Sequence, residues 1–322
     1  MPAIRRILVA IGNPYARSHP ALGKAAQLAR GLGAQLELFH ALTGPIYAAS
    51  DLDFQTAQTR EGARAVGRLQ VLASRLRSVS KVKVSASWDA PAYEAVIRRA
   101  VATHADLIIV DRHHSSPAIA PLLHLSDWEL LRQSPIPVLI VKRGGQYPRG
   151  AKVLAAVDPT HSMDKPARLD DAILGIGTVV SHALGANLHT VHAYSGLVTP
   201  PPKRTLTAEA AATRFRKLID GARQRYEQLL DRHEISHTRR HLLNLSPKDA
   251  IEDVAWRLHA HIVVLGAVSR TGWQRLLIGN TAEALMDPLH CDLLVVKPPR
   301  FKLRISRVPV GPRYQLAVPL VP

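Results

Sequence analysis

The chain repeats itself, and this duplication constrains its fold more than any other feature of the sequence. Residues 250–297 track residues 95–142 position by position without a gap. KVLAAVD at 152–158 lies on RILVAIG at 6–12, and GANLHTVHA at 185–193 lies on GAQLELFHA at 33–41. The spacing between the copies widens along the chain, which places small insertions in the early loops of the second copy. Each copy is about 140 residues long, the size of an ordinary domain.

Within each copy short apolar runs alternate with helical patterns. In the first, RRILVAI (5–11) ends at Gly12-Asn13-Pro14 and reads as a buried strand and turn. Residues 20–32 space Leu22, Ala25, Ala26, Leu28 and Ala29 at helical intervals, and Gly33 closes them. Strand patterns follow at 34–41, 81–87, 106–110 and 137–141, with helical stretches at 56–77, 92–103 and 126–133 between them. Strands alternating with helices require right-handed crossovers and a parallel sheet covered on both faces, an α/β architecture of two tandem five-stranded domains. KRGGQYPRG (142–150) reads as a linker. The expected division is 1–143, a linker at 144–150, 151–298, and a tail at 299–322. The tail holds Arg300, Lys302, Arg304, Arg307 and Arg313, repeated prolines and no acid. It cannot form a regular helix, which leaves an extended arm on a domain surface, a disordered segment, or a basic nucleic-acid arm.

Composition sets the class. At 322 residues and 47% hydrophobic the chain can bury two cores. The formal net charge of +17 suits anionic partners such as nucleotides, nucleic acid or acidic lipid. Its arginines are scattered along helical patterns, so they also read as ordinary solvated faces. No apolar run reaches the ~18 residues of a membrane helix. The N-terminus has too short an apolar run for a signal peptide, and the expected location is cytoplasmic. The single cysteine, Cys291, excludes an intramolecular disulfide and a cysteine-based zinc site.

Residues 262–285 read IVVLGAVSRTGWQRLLIGNTAEAL. An apolar strand, Ile262 to Leu265, stops at Gly266, a loop carries Ser269, Arg270, Thr271 and Gly272, and Gly279-Asn280-Thr281 opens a helix. Such a turn is an anion cradle, because glycine admits close backbone approach and the first helical N–H groups lack internal partners. Equally, Asn280 caps a helix with Glu283 as its N3 partner, and the glycines are turn punctuation. The first copy supplies a control. Gly266 falls on Asp111, Ser269 on His114, Gly279 on His124 and Asn280 on Leu125, so the first copy keeps the strand and helix without any of these glycines. A second difference is Asp158, which ends the first strand of the second copy where the first copy has Gly12. In an open parallel sheet the C-terminal ends of strands one and four flank the switch point, the usual ligand crevice. Asp158 there accepts hydrogen bonds from a ribose hydroxyl or base amino group, or caps a turn before Pro159.

Two tandem α/β domains, a first strand ending in Asp158, and a late glycine loop resemble the universal stress protein family, in its tandem two-domain branch. The match in wording is specific over 262–297 and at HHSSPAIAPLLHLSDWELLRQSPIPVLIVK (113–142), and it leaves out the tail. The resemblance implies HUP/Rossmann-like domains with flavodoxin-like strand order 3-2-1-4-5. It also implies a pseudo-dimer through the fifth strands and a non-catalytic stress-response role. In ATP-binding members the first-strand aspartate contacts the nucleoside and the glycine loop holds the phosphates. Carried over, these roles fall on Asp158, on Gly266, Arg270 and Gly279, and on the position of Asn280. Val157, His192, Leu265, Ser269 and Thr281 complete the candidate set. Ser269 stands where the family has its second glycine, and Asn280 where it has Ser or Thr. The implied ligand is ATP, AMP or another nucleotide-like molecule. The implied partners are that ligand and a second copy of the chain, with no membrane and no nucleic acid.

Sixteen histidines raise metal or catalytic readings. His40 and His192 occupy equivalent positions, as do His104 and His259, and recurrence in both copies points to structure. His189 and His192 face opposite sides of one strand. His113-His114 beside the altered loop is a zinc or ligand candidate. No Gly-x-Ser-x-Gly elbow or Walker lysine is present. A weak nucleotide hydrolase on the same fold and a charge-driven nucleic-acid binder are the two competing functions.

Overall fold

The computed structural model of the chain describes all residues except 1–2, 45, 49, 77–78, 80, 113–120, 161–167, 195–207, 268–279, 299–300, 302, 304, 307, 312–313 and 317–322. It divides into two compact units, one of Ala3–Tyr147 with Lys302–Pro322, the other containing Pro148–Phe301.

The first unit runs β1 (Arg6–Ala10), α1 (Pro20–Leu32), β2 (Gln35–Leu42), β3 (Ile46–Ala48), α2 (Asp51–Ser74), β4 (Val82–Trp88), α3 (Ala92–Ala102), β5 (Leu107–Asp111), α4 (Pro121–Gln133) and β6 (Val138–Val141). Its main strands lie in the order β4-β2-β1-β5-β6, every pair parallel. Ile7, Leu8 and Val9 on β1 and Leu107, Ile108 and Ile109 on β5 are buried, as continuous apolar runs in the middle of a sheet covered on both faces should be. The second unit repeats the plan with β7 (Lys152–Ala156), α5 (Leu169–Leu184), β8 (Asn187–Ala193), α6 (Ala208–Arg232), β9 (Arg240–Leu243), α7 (Pro247–Leu258), β10 (Ile262–Gly266), α8 (Asn280–Met286) and β11 (Asp292–Val296). Its strands lie in the order β11-β10-β7-β8-β9, again all parallel. Both sheets have the expected 3-2-1-4-5 arrangement.

The duplication extends to the caps. Gly33 after α1 and Gly185 after α5 are left-handed, with φ of 63° and 58°, and each returns its N–H to the last turn. His104 and His259 end α3 and α7 with φ of 52° and 49°. A helix-ending conformation, shared by both copies, accounts for this pair of histidines without a ligand.

The helix starts differ from the sequence reading at two places. α2 begins at Asp51 rather than near residue 56, because the Ser50 side chain accepts the Asp53 N–H at 3.2 Å and donates to Asp53 Oδ2 at 2.6 Å. α4 begins at Pro121 rather than Ser126, with proline in the first turn, where its missing N–H costs nothing.

The described tail residues pack on the first unit. β12 (Tyr314–Leu316) pairs in parallel with β3, Ile305 is buried, and Val310 is hydrogen-bonded to the segment that follows β4.

Candidate functional site

In the second unit β7 lies between β8 and β10, so connections leave it to both sides and the sheet has its switch point there. Asp158 stands just past the C-terminal end of β7. Its N–H donates to Asp170 Oδ1 at 3.0 Å, and its own Oδ1 accepts the Thr160 hydroxyl at 2.8 Å. The side chain is 36% exposed on the rim of the sheet. Asp170 and Asp171 form the first turn of α5, where carboxylates suit the positive end of the helix, and Asp171 lies 2.9 Å from His233 Nε2. The rim is therefore acidic and rich in acceptors. It suits hydroxyl and amino donors of a ribose or base.

Val157 is buried, and its carbonyl accepts from His192 Nδ1 at 3.1 Å, which also sets Nδ1 3.9 Å from Asp158 Oδ1. His40 makes the same contact to the Ile11 carbonyl at 2.7 Å in the first unit, and burial lowers its pKa. Each histidine ties the end of one strand to its neighbour. This contact explains the recurrence, and in the second copy it also places the ring beside Asp158.

Leu265 is buried in β10. Gly266 has a packing reason to be glycine. A Cβ there would lie 2.8 Å from Leu169 Cδ2 and 2.9 Å from Ile173 Cδ1, so the start of α5 rests directly on this backbone. Its counterpart, Asp111, instead points its carboxylate at α1 and accepts the Ala21 N–H at 2.5 Å. The difference between the copies at this position is thus a difference in how a helix start is seated. Ser269, Arg270 and Gly279 lie outside the described residues, as do His113 and His114. Asn280 and Thr281 are the first residues of α8, with their side chains outside the description.

Two features escaped sequence reasoning. His189 Nδ1 lies 3.2 Å from His241 Nε2, with the rings stacked at 5.5 Å. The pair occupies the same diagonal register between β8 and β9 as Glu37 and Ser85 do between β2 and β4, where Ser85 donates to Glu37 at 2.6 Å. Burial, then His241, Lys152 and Arg239, push the His189 pKa down to about 4, and burial and Arg257 lower that of His241. Folded-state pKa values below the ordinary 6.5 mean that the unfolded chain takes up protons first. Stability from these neutral rings is present above about pH 6.5 and is lost as pH falls toward 4. Thermal melts at descending pH are expected to show the second unit weakening over that window, and His189→Gln to flatten the profile.

Beneath this pair, Tyr226 is fully buried. Its hydroxyl lies 2.8 Å from Thr190 Oγ1, donates to the carbonyl of Thr190 or His241, and accepts the His241 N–H at 3.1 Å. It pins the edge strand β9 to β8. Tyr226→Phe leaves buried polar groups without this partner and is expected to cost about 2 kcal/mol in urea unfolding of the second unit.

A cleft of about 340 Å³ lies in the first unit, lined by Arg6, Glu37, Lys83, Arg99 and His104 among others. It opens near the N-terminal ends of β1 and β2, at the opposite end of the strands from a switch-point crevice. Its one buried carboxylate, Glu37, is taken by Arg99 and Ser85.

Comparison with known proteins decides the family. A profile of the universal stress protein family matches residues 3–142 and again residues 151–297. This chain belongs to the universal stress protein family. Universal stress protein E of Salmonella typhi is 30% identical over 95% of this chain and 98% of its own length. Universal stress protein E of Escherichia coli K12 is 29% identical over the same shares. Among solved structures, a functionally unknown protein of Pseudomonas aeruginosa PAO1 superposes with a TM-score of 0.70 at 27% identity, covering 92% of this chain and 93% of that one. Tandem universal stress protein domains are thus the organisation of the whole chain up to its tail. Among the described residues no helix is long and apolar enough to cross a membrane.

Proposed function

We propose that this universal stress protein is a cytoplasmic, non-catalytic binding protein with one nucleotide-like ligand site, in the second unit. The observation that carries the reading is Asp158. Its carboxylate stands at the switch-point rim and accepts the Thr160 hydroxyl, while Asp170 accepts its backbone N–H. The first unit has Gly12 at that position, with no side chain, and seats Asp111 on the start of α1. Asp158 would receive the ribose or base of ATP or AMP. The backbone from Gly266 onward, Ser269, Arg270, Gly279 and the start of α8 at Asn280-Thr281 would receive the phosphates.

Thermal shift with ATP, AMP and UDP-sugars tests the site. A ligand at about a hundred times its Kd stabilises by about 2.7 kcal/mol, a rise of roughly 5–10 °C for a unit of this size. The rise is expected in the wild type and lost in Asp158→Ala and Gly279→Arg. Equal shifts in all three chains would remove the assignment. Release of phosphate from ATP above that of the Gly279→Arg control would favour the hydrolase instead.

A further inference from the structure

Asp89, immediately after β4, is 4% exposed, and its carboxylate is shared between its own unit and the tail. Arg98 on α3 grips it with Nε to Oδ2 at 2.8 Å and Nη2 to Oδ1 at 2.6 Å. Oδ1 also accepts the Val310 N–H at 3.0 Å, and the Val310 carbonyl accepts the Ala90 N–H at 3.2 Å. Arg98 Nη1 donates to Glu94 at 2.8 Å and to the Ser306 carbonyl at 2.9 Å. Further along, β12 adds to β3 through its main chain. Nearly every one of these contacts reads tail backbone. The Val308 and Val310 side chains are 71% and 50% exposed, and the buried Ile305 is the apolar anchor among them. This is strand addition by an extended peptide, in which main-chain hydrogen bonds supply the attraction.

The segment that fills this place begins one residue past Phe301, where the other unit ends. A segment outside the duplicated domains and held mainly through backbone can make the same contacts with another molecule at no chemical cost, the condition for exchange of an identical element between copies. We propose that the first unit carries an exchangeable peptide-docking site, filled by residues 305–306, 308–311 and 314–316 of its own chain and open to the same segment of a second copy.

Full-length Val310→Pro, which removes the donor to Asp89, empties the site with little risk to the fold. Ile305→Glu is a second release variant. A fluorescein-labelled peptide of residues 302–322 is titrated against each at about 0.3 M salt, to suppress diffuse attraction of a basic peptide. It is expected to bind both released chains at least about tenfold more tightly than the wild type, whose own tail competes. The peptide carrying Val310→Pro is expected to lose that advantage. Native mass spectrometry of Val310→Pro (receptor intact) mixed with Asp89→Ala (tail intact) is expected to show a one-to-one heterodimer absent from either alone. Equal binding to wild-type and released chains, equal binding of the two peptides, or a mixture that stays monomeric would each overturn the proposal.

Discussion

Arg98→Ala is expected to cost the first unit about 3–5 kcal/mol, the range for breaking a buried ion pair by removing one partner. The two side chains are 8% and 5% exposed, and the guanidinium fork spans both carboxylate oxygens of Asp89. With the fork gone, that carboxylate keeps the Val310 N–H but loses its counter-charge in a place water scarcely reaches. The hydrogen bonds to Asp89 raise the Arg98 pKa, so the guanidinium stays charged. Arg98→Lys keeps a charge without the planar fork and is expected to recover only part of the loss. Replacing both partners, as Asp89→Leu with Arg98→Met, is expected to recover more than the lysine does, since no isolated charge is left buried. Urea unfolding measures each. The two units need not melt together, so the second unit's transition serves as the internal control. A loss below about 1 kcal/mol for Arg98→Ala would mean that the pair behaves as a surface contact.

This ion pair also marks where sequence reasoning stopped. The duplicated strands were readable because fully apolar runs such as Ile262 to Leu265 have few alternatives to a buried parallel strand, and each was seen twice. β3 and β12 were not, since three-residue strands flanked by glycine or proline carry no periodicity, and neither has a counterpart among the described residues of the other copy. β9 reads RHLL and is half-buried along its length, so it lacks the apolar signature of its neighbours. Asp158 was found because it is a difference between otherwise matching copies. His241 was not, because its relation to His189 appears only once β8 and β9 are placed in register. Comparison of repeats therefore locates a departure well and explains it poorly. A departure records that the environments differ, and whether a ligand or a neighbouring helix made the difference depends on what packs there.

Gly266 illustrates this, and exchanging the residues of the two copies tests it. Gly266→Asp installs the first copy's residue and is expected to destabilise the second unit by on the order of 3–5 kcal/mol. The added Cβ would lie 2.8 Å from Leu169 Cδ2, 2.9 Å from Ile173 Cδ1 and 3.0 Å from Leu169 Cγ, and both side chains are themselves buried at the start of α5. Overpacking of this kind costs about 1–3 kcal/mol. The carboxylate adds to that, because it is pressed against aliphatic side chains with no donor brought along to satisfy it. Gly266→Ala separates the two contributions and should show the steric part alone. The reciprocal change, Asp111→Gly, removes the acceptor for the Ala21 N–H and is expected to cost the first unit about 1 kcal/mol, as loss of a helix cap does. This asymmetry follows from the two seats. The start of α1 is held by a carboxylate that reaches its N-terminus, whereas α5 is set down on bare backbone, with Asp170 in its first turn accepting the Asp158 N–H. A cost for Gly266→Asp no larger than that for Asp111→Gly would mean that α5 is not seated on this glycine. The glycine would then belong to the loop that follows it.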